Sequence, residues 1–214
     1  MPATGADDPE KLANARQNTP LSVLTLDRIV SLQDYEDFSR AFSGIEKALA
    51  TWSWKNNRQC IFITVAGPKG AVIKKDSTVY RNLVKSIKES GNPNTPVFVE
   101  SYKPRYFMFS AQVKVKPEYE DEEALARVRE LLRTRYSFEA RSFGQPVLLS
   151  EVISVIHEIR GIEAVDVDKL YISDQKKDLN KILPAAMPEP GDDETQPAEL
   201  LYLDPRPTNL RLME

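Results

Sequence analysis

The chain is poor in the residues that most chemistry needs. Cys60 is its only cysteine, so no intrachain disulfide can form. His157 is its only histidine. One histidine and one cysteine cannot build a zinc site of the usual ligand set. A Ser-His-Asp or Cys-His pair would have to use His157, and no nucleophile motif accompanies it. That histidine stands between Ile156 and Glu158 on an apolar helix, as a packed or edge residue would. Cys60 lies in the apolar run CIFITVAG, where a small buried hydrophobe is expected. Glycine is sparse, and Gly67-Pro68-Lys69-Gly70 lacks the GxxxxGK[ST] spacing that wraps amides around phosphates, so it reads as a plain turn. Long apolar runs are missing too: nothing approaches the roughly 20 residues of a membrane span. The first 20 residues carry no apolar core, so export by a signal peptide is not expected.

A strong charge of one sign is also lacking. The net charge is −3, and from Leu179 to Glu214 there are seven acids and three bases, leaving 25 acids and 26 bases elsewhere. The body is near neutral and the acid excess belongs to the end of the chain. A general nucleic-acid binder needs a clustered basic surface, so that class is disfavoured. Strand aromatics such as Tyr106 and Phe107 leave single-strand binding as a further reading, one that predicts salt-sensitive binding.

What is present is a regular alternation of amphipathic segments. Phe143–Ile172 reads as loop, helix, tight turn and strand: Leu149, Val152, Val155, Ile156 and Ile159 recur at helical spacing, Ser150 offers an N-cap, and Gly161 stands where a left-handed residue is wanted. The same device occurs at Leu32–Ala48, where Leu32, Tyr35, Phe38 and Phe42 precede Gly44, and Gly-Ile-Glu follows in both places. Spacing alone leaves a true repeat and two ordinary glycine-capped helices both open.

The remaining elements follow in order. Ser31 with Asp34 forms a capping box with Asp in the usual Glu place. Ile45–Trp54 alternates like a strand with Trp52 and Trp54 on one face, and Gln59–Ala66, apolar on both faces, reads as its central antiparallel neighbour. A helix is predicted over Thr78–Ser90, capped by Asp76 or Ser77, and strands over Val97–Tyr102 and Tyr106–Lys116 with a turn at Lys103-Pro104-Arg105. Phe107, Phe109, Ala111, Val113 and Val115 share one face, and Gln112, Lys114 and Lys116 end the other. Asp121–Tyr136 is a helix with acids at its start and bases at its end. Asp166 and Asp168 lie on one strand face; they could hold a cation, but solvent exposure is the plainer expectation. Leu179–Glu214, with six prolines, is expected not to bury enough surface to offset its ordering entropy. Within it AELLYL is an apolar island, either laid on a partner or docked on its own domain.

The stretches TPLSVLTLDRIVSLQDYEDFSRAFSGIEKA, CIFITVAGPKG and RYSFEARSFGQPVLLSEVISVIHEIRGIEAVD resemble the C-terminal half of baseplate J-like proteins. These are wedge components of contractile phage tails and of related bacterial contractile injection systems. The resemblance covers roughly Thr19–Ile172 and includes both helix–Gly–Ile–Glu units. It implies a structural, non-enzymatic subunit with no cofactor, metal, nucleic acid or membrane span. It also implies pairing with copies of itself, as a homodimer, and with other wedge subunits in a sixfold ring around the tail hub. Such a protein assembles in the bacterial cytoplasm and ends in a phage tail or injection particle. The family's larger N-terminal portion has no counterpart here, which is expected of a fragment or a split gene.

The residues and the resemblance together predict an α+β protein of two small units, with helices on one face of mainly antiparallel sheets, in the split βαβ or ferredoxin-like manner. The expected divisions are an N-terminal arm at 1–20, a first unit at 21–102, a second at 103–178 and a Pro-rich acidic tail at 179–214. Trp52, Trp54 and Tyr202 are the expected partner contacts, with both tryptophans in a core as the alternative. A small-molecule-binding regulatory module is the other function that such a fold allows.

Overall fold

The structure, a computed structural model, describes residues 29–55, 58–189, 195–206 and 208–213. The expected arm at 1–20, the apolar lead-in from Leu21 and the turn residues Asn56 and Asn57 lie outside the described residues. Those described form two compact units: 29–68 with 73–100, and 69–72 with 101 onward.

In the first unit, α1 spans Leu32–Ala41. Its start is the predicted box: Ser31 Oγ accepts from the Asp34 amide at 3.1 Å, and the Ser31 amide donates to Asp34 Oδ2 at 2.8 Å. The bond from the Ser31 backbone holds the Asp34 carboxyl below its ordinary range. The chain turns at Gly44, whose φ of 91° is left-handed, and enters β1, Lys47–Lys55. β1 pairs antiparallel with β2, Arg58–Ala66, in unbroken register from Lys47 opposite Ala66 to Lys55 opposite Arg58. β2 is central in the order β1-β2-β3, as its two apolar faces predict, with β3 at Val97–Ser101. The helix α2 spans Thr78–Ser90, as predicted, with Ser77 Oγ accepting from the Tyr80 amide at 3.1 Å. Tyr35, Leu83 and Ile87 from the helices bury against Ala50, Ile61, Ile63, Val65 and Val99 from the strands.

In the second unit, β4 spans Lys103–Val115. Lys103-Pro104-Arg105 is therefore strand, not turn. The Lys103 amide donates to the Ala198 carbonyl at 3.0 Å, and Pro104 stands opposite Leu200, so pairing with the end of the chain overrides the turn signal of the proline. The helix α3 spans Asp121–Arg135 and buries Leu125, Val128 and Leu132, with Tyr136 buried just beyond it. The short β5, Val147–Leu148, leads into α4, Leu149–His157. Ser150 is not its cap. Leu148 occupies that position without a side-chain bond, and the Leu149 amide donates to the Lys181 carbonyl at 2.9 Å. Gly161, at φ 98°, turns the chain into β6, Ile162–Ile172, which pairs along β4 as far as Phe107.

The largest departure lies after Ile172. The residues from Leu179 on were expected not to bury enough surface to be ordered. Instead β7, Ile182–Leu183, pairs with β5, while β8, Glu199–Leu203, and β9, Asn209–Leu212, pair parallel with β4. Leu183, Leu201, Leu203 and Leu210 all join the core of α3, α4, β4 and β6. AELLYL thus docks on its own unit. This sheet is mixed: antiparallel on the β6 side of β4 and parallel on the β8 and β9 side. The α+β class holds, with four helices among the described residues.

Candidate interaction surface

The scarce reactive groups are placed where sequence reasoning puts them. Cys60 is buried, and burial pushes its thiol up. His157 is exposed at the end of α4. Pro68–Gly70 forms a 3₁₀ turn whose Gly70 carbonyl accepts from the Tyr102 hydroxyl at 2.7 Å. Asp166 and Asp168 are exposed; Asp168 receives a 3.3 Å bond from Gln112, and Lys114 pairs with Glu163 at 3.0 Å on the same polar region. No cluster of three or more His, Cys, Asp or Glu suited to a metal ion occurs among the described residues.

The distinctive surface is aromatic. The face of β1 that carries Ala48 and Ala50 into the core ends in Trp52 and Trp54, which are 41% and 49% exposed. Trp52 stands opposite Ile61 and rims a groove of about 390 Å³. Ile29, Val30, Tyr35 and Ile61 supply its apolar side, and Ser90 to Pro93 with Thr95 its polar rim. Val30 is 79% exposed. The Tyr35 hydroxyl is buried and has no hydrogen-bond partner among the described residues, an unusual and costly state for a polar atom.

The backbone edge of β1 is treated in two ways along its length. Where it passes α1, the Ala50 amide turns away from β2 and donates to Glu36 Oε1 at 3.0 Å. Beyond Ala50 the alternation of the strand directs the amides of Trp52 and Trp54 to the same outer side. Neither has a hydrogen-bond partner there among the described residues.

Tyr202 belongs to the second unit. It sits on β8, half-buried, with its hydroxyl donating to the Tyr106 hydroxyl at 3.0 Å and its ring edge-on to Tyr106 at 4.7 Å. The structure brings Trp52 and Trp54 side by side and ties Tyr202 into the sheet of its own unit.

Sequence reasoning missed the groups that hold the chain end. Arg141 is fully buried. It donates to the Leu201 carbonyl at 3.2 Å and to the Gln145 and Pro146 carbonyls at 2.9 and 2.7 Å, with Glu151 at 3.5 Å. Desolvation lowers its pKa, and these acceptors offset the cost of burying the charge. Asp204 accepts from Arg206 and from Ser173 Oγ, and Arg206 holds its carboxyl down at about 2. A buried arginine in a loop has no periodic signal; the only cue was an Arg inside the otherwise apolar-leaning SFEARSFG.

These residues define an α+β protein of two sheet-and-helix units with an aromatic edge and groove on the first. Residues 27–100 match the family model described as the Baseplate J-like central domain. The resemblance to baseplate J-like proteins is thus shown for the part of the chain that forms the first unit. The matching model is that of the family's central domain. No curated protein matches the chain. Among solved structures, a chain in the cryo-EM structure of the anti-feeding prophage (AFP) baseplate, 6-fold symmetrised, shares the fold with a TM-score of 0.58 at 8% identity. The alignment covers 90% of this chain and 42% of that one, so this chain spans less than half of its length.

Proposed function

We propose that the chain is a structural subunit of a contractile tail or injection-system baseplate, placed in its wedge and acting through protein–protein contacts rather than catalysis. The match of residues 27–100 to the Baseplate J-like central domain carries this reading. The fold shared with a baseplate chain over 90% of this one supports it. Partners are copies of the chain and other wedge subunits, and the destination is a phage tail or injection particle assembled in the bacterial cytoplasm. Exposed aromatics are common anchors of such contacts, which favours Trp52 and Trp54 as interface residues, with Tyr202 a lesser contributor because most of it is already covered. Deleting the gene in its own cells tests the proposal. Loss of assembled particles, restored by the wild-type chain, supports it; particles of normal number and form without the chain would refute it.

A further inference from the structure

The open stretch of β1 carries an inference about how copies of the chain meet. Among the described residues β1 is an edge strand, and exposed edges are templates for pairing unless something blocks them. Here the block is Glu36 on the Ala50 amide, and it stops there. The next outward amides belong to Trp52 and Trp54, the two exposed large hydrophobic side chains of the strand. We propose that Trp52–Trp54 pairs edge to edge and antiparallel with the same segment of a second copy, about a twofold axis through Ser53. This rests on the reading of the chain as an assembly subunit.

The choice of occupant and register follows from the chemistry of the edge. A second copy offers the same outward amides at Trp52 and Trp54, and they are self-complementary only in this register. Trp52 then faces the partner's Trp54 as a hydrogen-bonded pair on each side of the axis, exchanging both N–H···O bonds. The indole rings meet as cross-strand aromatic pairs, and Lys55 falls opposite the partner's Thr51 rather than another lysine. Centring the axis on Trp52 would set Trp54 against the partner's Ala50, whose amide Glu36 already holds. Centring it on Trp54 would carry Trp52 past the end of β1 at Lys55. A contact this short lies below the area of a stable dimer, so isolated copies associate weakly and depend on repetition in a ring for strength.

The test uses the full chain at increasing concentration, with sedimentation equilibrium for association and amide exchange read at single residues by NMR. The expected result is a weak dimer in which the Trp52 and Trp54 amides gain protection as concentration rises. Trp54→Pro removes an outward donor at a position where an edge strand tolerates proline. It should weaken association about tenfold or more, as expected for the loss of paired backbone bonds. A dimer indifferent to Trp54→Pro, with both amides still exchanging freely, would overturn the edge and leave the assembly reading intact. So would a wild-type chain that stays monomeric up to about 1 mM, a range that covers weak contacts of this size. The amide measurement needs no variant, so a poorly folded Trp54→Pro does not protect the proposal. Edge pairing in a chain whose particles assemble without it would refute the assembly reading alone.

Discussion

Each unit contains one helix–Gly–Ile–Glu turn, and the two are built alike at the turn but differently along the helix. At the turn, Ile45 donates to the Phe42 carbonyl at 3.0 Å and Ile162 to the Ile159 carbonyl at 3.3 Å. Both isoleucines are buried, and both glycines are left-handed. Along the helix the second copy is the more apolar. Val152, Val155 and Ile156 are all buried on α4, whereas the equivalent positions of α1 carry buried Tyr35, half-buried Phe38 and buried Ser39. The hydroxyls of Tyr35 and Ser39 have no partner among the described residues. The helix of the second copy thus buries only apolar side chains at these positions, while that of the first buries two hydroxyls.

Ile156→Asp should separate the two copies most. It places an unpaired carboxylate among fully buried side chains, and a loss on the order of 4 kcal/mol is expected in thermal or denaturant unfolding. A variant melting like the parent would show that α4 is not sealed. The glycines come next. An alanine at either must take a left-handed conformation, at about 1–2 kcal/mol. At Gly161 its Cβ would also lie 2.5 Å from Tyr119 Cγ, against 3.1 Å from Val79 Cγ2 at Gly44. Gly161→Ala should therefore cost more than Gly44→Ala by about 1 kcal/mol or more of overpacking; equal losses would break the comparison. Ser39→Ala should leave stability unchanged or raise it by up to about 1 kcal/mol, because it removes a stranded hydroxyl. A clear loss would mean that the hydroxyl has a partner in solution.

Acid gives the smallest effect and separates the units by probe. Both tryptophans of the chain belong to the first unit, so indole emission reports on it alone. Asp34 in the first unit and Asp204 in the second have carboxyls held below their unfolded values. Such groups stabilise the fold above about pH 4 and lose that contribution as pH falls through the folded value, about 2 for Asp204. Asp204→Asn should flatten the acid response of the Leu203 methyl signals and leave indole emission unchanged. Asp34→Asn should do the reverse. A shared response to either substitution would show that the units do not unfold separately.

Elements with local signals were legible in the sequence. The helix predicted over Thr78–Ser90, with a cap at Asp76 or Ser77, matches α2 to the residue, and the Ser31–Asp34 box marked α1. Elements set by distant chain were not. The start of β4 depends on Ala198, and the start of α4 depends on Lys181, a carbonyl more than thirty residues downstream. The acidic, proline-rich end looked unable to fold because its composition says nothing of Arg141, which is buried against the Leu201 carbonyl. The pairing of Trp52 with Trp54 was visible as alternation. The Glu36 cap that ends just before them was not, because it depends on how α1 lies against β1.

Labelling the chain in intact particles tests its proposed role most directly. With an epitope on the chain expressed at its native level, antibody–gold should mark one end of the contractile particle, at the baseplate. Purified particles that carry no chain, or label spread along the tail, would contradict it.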